Sequence, residues 1–166
     1  MILLGIGSNL GNRENNLREA IDAFPAKGIK VLRCSHWYES PAWGITDQPG
    51  FLNGVLEVAF DGTPEELLTH LLAIEEEMGR VRTLKWGPRL IDLDILECNR
   101  VQMQTERLTL PHPFYQERAF VLVPLAELEP DWVPTAGEFP ISALIEALGN
   151  HQVSVYAPSD PHSSTS

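Results

Sequence analysis

The sequence predicts an α+β fold, an antiparallel sheet with helices packed on its faces. Three observations carry this expectation. Short apolar runs bounded by Gly and Pro read as strands. Two segments carry apolar residues at helical spacing. The 166 residues, 43% of them apolar, suit one domain with a single core.

MILLGIG (1–7) is an apolar run ended by Gly, as expected of a buried strand. From Arg13 to Phe24, Leu17, Ala20, Ile21 and Phe24 fall on one helical face, with Asn12 placed to cap and Pro25 and Gly28 marking the end. KVLRCSHWY (30–38) reads as a second strand, and ESPAWGITDQPG (39–50), with two Pro and two Gly, as a loop. FLNGVLEVAF (51–60) is a third strand. Thr63-Pro64-Glu65-Glu66 announces a helix to about Met78, stopped by Gly79, with Leu67, Leu68, Leu71, Ile74 and Met78 on one face. RVRTLKWGPR (80–89) is a basic loop, and LIDLDILEC (90–98) has the alternation of a strand. RVQMQ and ERLTL read as short strands and PHPFYQ as a turn. RAFVLVPLAEL has mixed character, and ISALIEAL (141–148) reads as helix. A single domain over 1–156 is expected, followed by a disordered tail over 157–166. The order strand–helix–strand–strand–helix–strand is the split βαβ pattern of the ferredoxin-like α/β sandwich.

Composition excludes several classes. No apolar run approaches the roughly 20 residues that span a bilayer, and the first residues lack a basic region before their apolar stretch, unlike a signal peptide. Two cysteines make neither a disulfide scaffold nor a four-thiolate metal site. The expected location is the cytoplasm. Twelve Lys and Arg against 23 Asp and Glu give a net charge of −11, which disfavours nucleic acid and anionic membranes as partners. Yet Arg80, Arg82, Lys85 and Arg89 fall within ten residues, and no cation follows Arg118. Such a run is either a solvated face or a site for a small, highly charged anion.

Asp92-Leu93-Asp94 tilts the choice. On a strand these two carboxylates share a face, about 6.5–7 Å apart at Cα. Side by side they repel, and a cation relieves that; Mg²⁺ suits one or two carboxylates plus substrate phosphates. The plainer alternative is the solvent side of an edge strand. The basic loop immediately before the acid pair favours metal and polyphosphate together. Trp86 in that loop serves equally to pack over the site or to anchor the loop. Trp43, Phe51 and Asn53 offer aromatic faces and one amide, which suit a flat heterocycle, although an Asn near a strand start is commonly structural. His112, held between Pro111 and Pro113, is a rigidly placed candidate for a phosphate. Gly5-x-Gly7 is followed by Gly11, one residue too late for a dinucleotide fingerprint, and no phosphate-binding Gly-Lys-Ser/Thr loop occurs.

GIGSNLGNRENNL, SHWYESPAWGITDQPGFLNGV, IEEEMGRVRTLKWGPRLIDLDIL and TERLTLPHPFYQERAFVLVPL stand in this order over essentially residues 1–150. In sequence and spacing the chain resembles the 6-hydroxymethyl-7,8-dihydropterin pyrophosphokinases. That resemblance implies a ferredoxin-like sandwich and Mg²⁺-dependent transfer of pyrophosphoryl from ATP to the pterin hydroxymethyl group, releasing AMP, in folate biosynthesis. It implies that Asp92 and Asp94 hold two Mg²⁺ ions and that Arg80 and Arg89 are the catalytic arginines. ATP would meet Glu75, Arg82, Trp86, Ile95, Arg107, Thr109, His112 and Arg118. The pterin would meet Ser40, Pro41, Ala42, Trp43, Phe51, Asn53 and Phe120, with Phe51 and Phe120 sandwiching the ring and Asn53 reading its edge. A monomer acting on small molecules, with neither nucleic acid nor membrane, fits the same resemblance.

The chain departs from the pattern in three places. The loop from Arg80 to Trp86 is one residue shorter than in the enterobacterial form, with Lys85 near a usual Arg. Leu72 replaces a Gln found in some members, and Phe51 a frequent Tyr, which keeps stacking and loses a phenolic hydrogen bond. Two readings compete with transfer of pyrophosphoryl: another Mg²⁺-dependent nucleotidyl or phosphoryl transferase, and a sensor that binds a nucleotide without turning it over.

Overall fold

In the computed structural model, residues 1–41, 50–79 and 90–156 are described. The centre of the molecule is β1 (Ile2–Ser8), buried along its whole length. On one side it pairs antiparallel with β4 (Phe51–Ala59), from Ile2↔Val58 to Ser8↔Leu52. On the other it pairs antiparallel with β5 (Asp92–Cys98), with Gly5 opposite Asp94 and Gly7 opposite Asp92. The far edge of β4 carries β2 (Lys30–Cys34) and β3 (Tyr38–Ser40), both antiparallel to it. A separate hairpin joins β6 (Met103–Gln104) to β7 (Thr109–Leu110). Finally β8 (Ser154–Val155) adds to β3. The β5-β1-β4 core flanked by β2 and β3 is the expected antiparallel sandwich sheet.

The helices cover both faces. On one, α1 (Arg13–Ala23) and α2 (Pro64–Gly79) bury Leu17, Ala20, Leu67, Leu71 and Ile74 against Leu4, Ile6, Leu56, Leu93 and Ile95. Asn12 caps α1, its Oδ1 accepting from Asn15 N at 3.1 Å. Thr63 and Glu66 form a reciprocal capping box at the start of α2, at 2.8 and 3.1 Å. On the opposite face, α3 (Ala119–Leu128) and α4 (Ile141–Leu148) pack Val121, Leu122, Leu125 and Ile141 against Leu3, Val55 and Leu96. The segment of mixed character is thus a helix, with Pro124 inside it.

The continuous strand expected over 30–38 is broken in two. Ser35 Oγ donates to His36 O at 2.7 Å and accepts from Val55 N at 3.0 Å, so a side chain takes over a ladder position and β2 stops. Trp37 then lies over Gly54, where an added Cβ would come within 2.5 Å of its ring. A second irregularity lies in β5. Leu3 pairs with Glu97 and Leu4 with Ile95, leaving Leu96 as an extra, bulged residue. Leu96 and Glu97 therefore both face α3. The short β8 had no counterpart in the sequence expectation, and the tail over 157–166 lies outside the described residues.

Candidate active site

Strand parity builds the floor of the site. Residues of β1 alternate, so Ile2, Leu4 and Ile6 enter the α1–α2 core while Gly5 and Gly7 face the other way. Asn53 on β4 stands opposite Gly7, and Asp92 and Asp94 on β5 stand opposite Gly7 and Gly5. Two glycines thus leave a bare strip between an amide and an acid pair. A Cβ at Gly7 would collide with Asn53 Nδ2. Above this floor lies a cavity of about 230 Å³, walled by Ser40, Phe51, His112, Arg118, Phe120 and Val121.

Each wall has a physical anchor. Asn53 is nearly buried, yet its Oδ1 has no hydrogen-bond partner among the described residues. Such an acceptor in a cavity wall is open to a donor from water or a bound molecule. Leu93 N, between the two acids, donates to Glu75 Oε2 at 2.7 Å, which ties the start of β5 to α2. Asp92 is half-buried and Asp94 exposed. His112 N donates to Leu96 O at 2.9 Å, while His112 Nδ1 accepts from Phe114 N at 3.3 Å. A neutral His112 therefore carries its proton on Nε2. Burial holds its pKa below the ordinary value, opposed by Asp94 and assisted by Arg118. The Arg118 guanidinium lies between two rings, 5.7 Å from Phe114 and 5.8 Å from Phe120.

Of the residues expected from sequence, the cavity brings together Ser40, Phe51, Asn53, Asp92, Asp94, His112, Arg118 and Phe120. Pro41 lines a neighbouring cavity of about 500 Å³ that shares Ser40, Arg118 and Phe120 with the first. Glu75 stands behind the acid pair on α2. Ile95 is 3% exposed with its side chain in the α1–α2 core. Arg107 donates to Thr69 Oγ1 on α2 at 3.0 Å, and Thr109 pairs with Gln104; neither lines the cavity. Ala42, Trp43, Arg80, Arg82, Lys85, Trp86 and Arg89 lie outside the described residues. Sequence reasoning missed Gly5, Gly7 and Gly54 as parts of the site. The signal was present, since glycine inside an apolar strand marks a close approach.

Fold and site together define an α+β domain with a small cavity between a sheet floor and a helix start, beside paired carboxylates. Residues 3–130 match the family 7,8-dihydro-6-hydroxymethylpterin-pyrophosphokinase, HPPK, and the chain belongs to that family. It is similar to the 2-amino-4-hydroxy-6-hydroxymethyldihydropteridine pyrophosphokinase of Synechocystis, 46% identical over 147 residues, 88% of this chain and 75% of that protein. It is also similar to the protein of the same name from Methylorubrum extorquens, 49% identical over 131 residues, covering 78% and 83% of the two chains. Among solved structures, wild-type HPPK-DHPS of Plasmodium falciparum, determined with pteroate, superposes with a TM-score of 0.68 at 15% identity, which supports the fold. That match covers 88% of this chain and 42% of the longer one.

Proposed function

We propose that this chain transfers the pyrophosphoryl group of ATP to the hydroxymethyl oxygen of 6-hydroxymethyl-7,8-dihydropterin, releasing AMP, as a step of folate biosynthesis. The observation that carries this reading is the shared floor: an aromatic-and-amide cavity opens directly beside Asp92 and Asp94. Phe51 and Phe120 offer faces to a flat ring, and the unpartnered Asn53 Oδ1 accepts a hydrogen bond from a ring N–H.

The donor set fits Mg²⁺. Among the described residues no cluster of three or more His, Cys, Asp or Glu is placed to enclose a metal. Two carboxylates on one face, open to a cavity, instead suit an ion that completes its shell with water and phosphate oxygens. Asp92 and Asp94 would hold two such ions, which when bound neutralise phosphate charge. Arg118 and the Nε2–H of His112 add positive charge and a donor to the same cavity. Arg80 and Arg89 would stabilise charge during transfer, with Arg82, Trp86 and Glu75 meeting the nucleotide and Arg107 and Thr109 meeting it outside the cavity; Ile95, its side chain turned into the α1–α2 core, would offer its backbone alone. Ser40, Pro41, Ala42 and Trp43 would complete the pterin side. No helix among the described residues is long and apolar enough to cross a membrane. We take the protein to act as a cytoplasmic monomer on small molecules, with neither nucleic acid nor membrane as partner.

The test is to incubate the protein with ATP, Mg²⁺ and the hydroxymethyldihydropterin and to identify the nucleotide product by chromatography. AMP in step with pterin diphosphate is expected. ADP or free pyrophosphate would refute the reaction, and ATP binding with no product would make the protein a sensor.

A further inference from the structure

Among the described residues Glu97 is the one acidic side chain with no exposure at all, and it sits three residues along β5 from Asp94. The bulge turns it, together with Leu96, toward α3. Its Oε2 accepts from Tyr115 Oη at 2.5 Å and from Thr135 N at 2.9 Å, and its Oε1 accepts from Thr135 Oγ1 at 2.6 Å. Tyr115 is itself fully buried, and burial and then the carboxylate push its hydroxyl above the usual range, so it remains a donor. Arg100 brings positive charge to the far side of Thr135, at 3.4 Å from Thr135 Oγ1 and stacked 3.8 Å from the Trp132 ring centre.

What this cluster holds is one wall of the cavity. Leu96 O takes His112 N, and Glu97 takes Tyr115. The chain between and just beyond these ties carries His112, Arg118 and Phe120. The Arg118 carbonyl then accepts from both Val121 N and Leu122 N at 2.9 Å, which fixes the first turn of α3. Two consecutive residues of the strand that bears the acid pair therefore set where this wall stands relative to that pair. A buried carboxylate is a costly way to fill a core, and an apolar set of similar shape is often as stable. Its three directional bonds instead impose one position on Tyr115.

We propose that Glu97 is a positioning residue: through Tyr115 and Thr135 it fixes the segment carrying His112, Arg118 and Phe120 at the spacing from Asp92 and Asp94 that catalysis needs. This rests on the proposed pyrophosphoryl transfer. It goes beyond the substrate-contacting residues, because Glu97 does not line the cavity.

The test compares the triple variant Glu97→Leu/Tyr115→Phe/Thr135→Val with Glu97→Gln. The triple variant removes the three polar side chains together and leaves the backbone N–H of residue 135 as the one donor of the cluster without its acceptor, so it is expected to fold and to melt a few degrees below the wild type. Its kcat/KM is expected to fall about 10- to 100-fold, the usual effect of losing a residue that orients an active-site group. Glu97→Gln, which can still accept from Tyr115 and Thr135 N, is expected to keep most activity. Amide exchange over 112–120 is expected to speed up in the triple variant and to stay unchanged in Glu97→Gln. A folded triple variant with wild-type kcat/KM and amide exchange would overturn the proposal. Should the triple variant not fold, Tyr115→Phe decides: lower kcat/KM with native melting supports the role, and unchanged kcat/KM overturns it. Failure of the wild type to make AMP counts against the reaction alone, since amide exchange still reports the positioning without turnover.

Discussion

Replacing Asn53 by Ala separates a ligand-reading role from a structural one. In the free protein Asn53 Oδ1 is buried and has no partner among the described residues. Removing that atom breaks no hydrogen bond there and relieves an unsatisfied acceptor, so the variant should melt within a few degrees of wild type. In the complex the same atom would accept from a ring N–H of the pterin. A buried hydrogen bond lost with its partner left unpaired costs about 1–3 kcal/mol. At roughly 1.4 kcal/mol per tenfold, that is about a 5- to 150-fold rise in the pterin KM. Initial rates at saturating ATP, with pterin varied, measure the rise, and thermal denaturation of the same preparation measures stability. The KM for ATP should move little, because Asn53 stands opposite Gly7 on the β4 side of the floor, with β1 between it and the acid pair. A variant that melts much lower yet keeps the wild-type pterin KM would make Asn53 a structural residue and refute the reasoning.

Three further outcomes are expected. Asp94→Asn, at an exposed carboxylate, should leave melting unchanged and abolish Mg²⁺-dependent AMP formation; normal turnover across a Mg²⁺ titration would remove Asp94 from the metal site. Gly7→Ala should drive a Cβ into Asn53 Nδ2 and turn that amide aside, so it should change stability by less than about 1 kcal/mol yet raise the pterin KM; denaturant melts and rate assays read both effects. Burial raises the pKa of Glu127, but hydrogen bonds from Tyr38 Oη (2.7 Å), His36 N and the His36 ring outweigh it and hold the carboxyl below its ordinary value. A depressed carboxylate stabilises the fold above its unfolded pKa and ceases to as pH falls through its folded one. Glu127→Gln should therefore flatten the loss of stability below about pH 4.5, as followed by denaturant unfolding from pH 6 down to about pH 3.

The parts of the fold that repeat a simple period were legible in the sequence. Leu93 and Ile95 alternate with Asp92 and Asp94, so their opposite faces could be foreseen, and the structure places the first pair in the α1–α2 core and the second beside the cavity. Asn12 and Thr63 declared their helices through side-chain chemistry that is local to a few residues. What stayed hidden depends on contacts between distant residues. The break after Cys34 comes from Ser35 bonding across to Val55, and the bulge at Leu96 exists only in relation to Leu3 and Leu4. β8 is two residues long and takes its conformation from pairing with Tyr38 and Glu39. The helical state of 119–128 depends on packing against Val55 and Leu96, which overrides a β-branched and proline-containing composition. Within the site, aromatic, amide and acidic residues advertised themselves. The glycine floor and the Glu97 cluster did not, because their roles are to leave space and to hold another residue in place.

The bulge in β5 also decides which changes in length this strand can absorb. Deleting Leu96 would leave Ile95 opposite Leu4 and Glu97 opposite Leu3, a regular ladder in which every remaining side chain keeps its face. Deleting Leu93 instead would bring Asp92 and Asp94 side by side and send one of them into the apolar core. The strand thus carries its slack at Leu96, on the inner side of the acid pair. A lineage could gain or lose one residue there with the acids still aimed at the cavity, whereas the same event two or three positions earlier would silence the site.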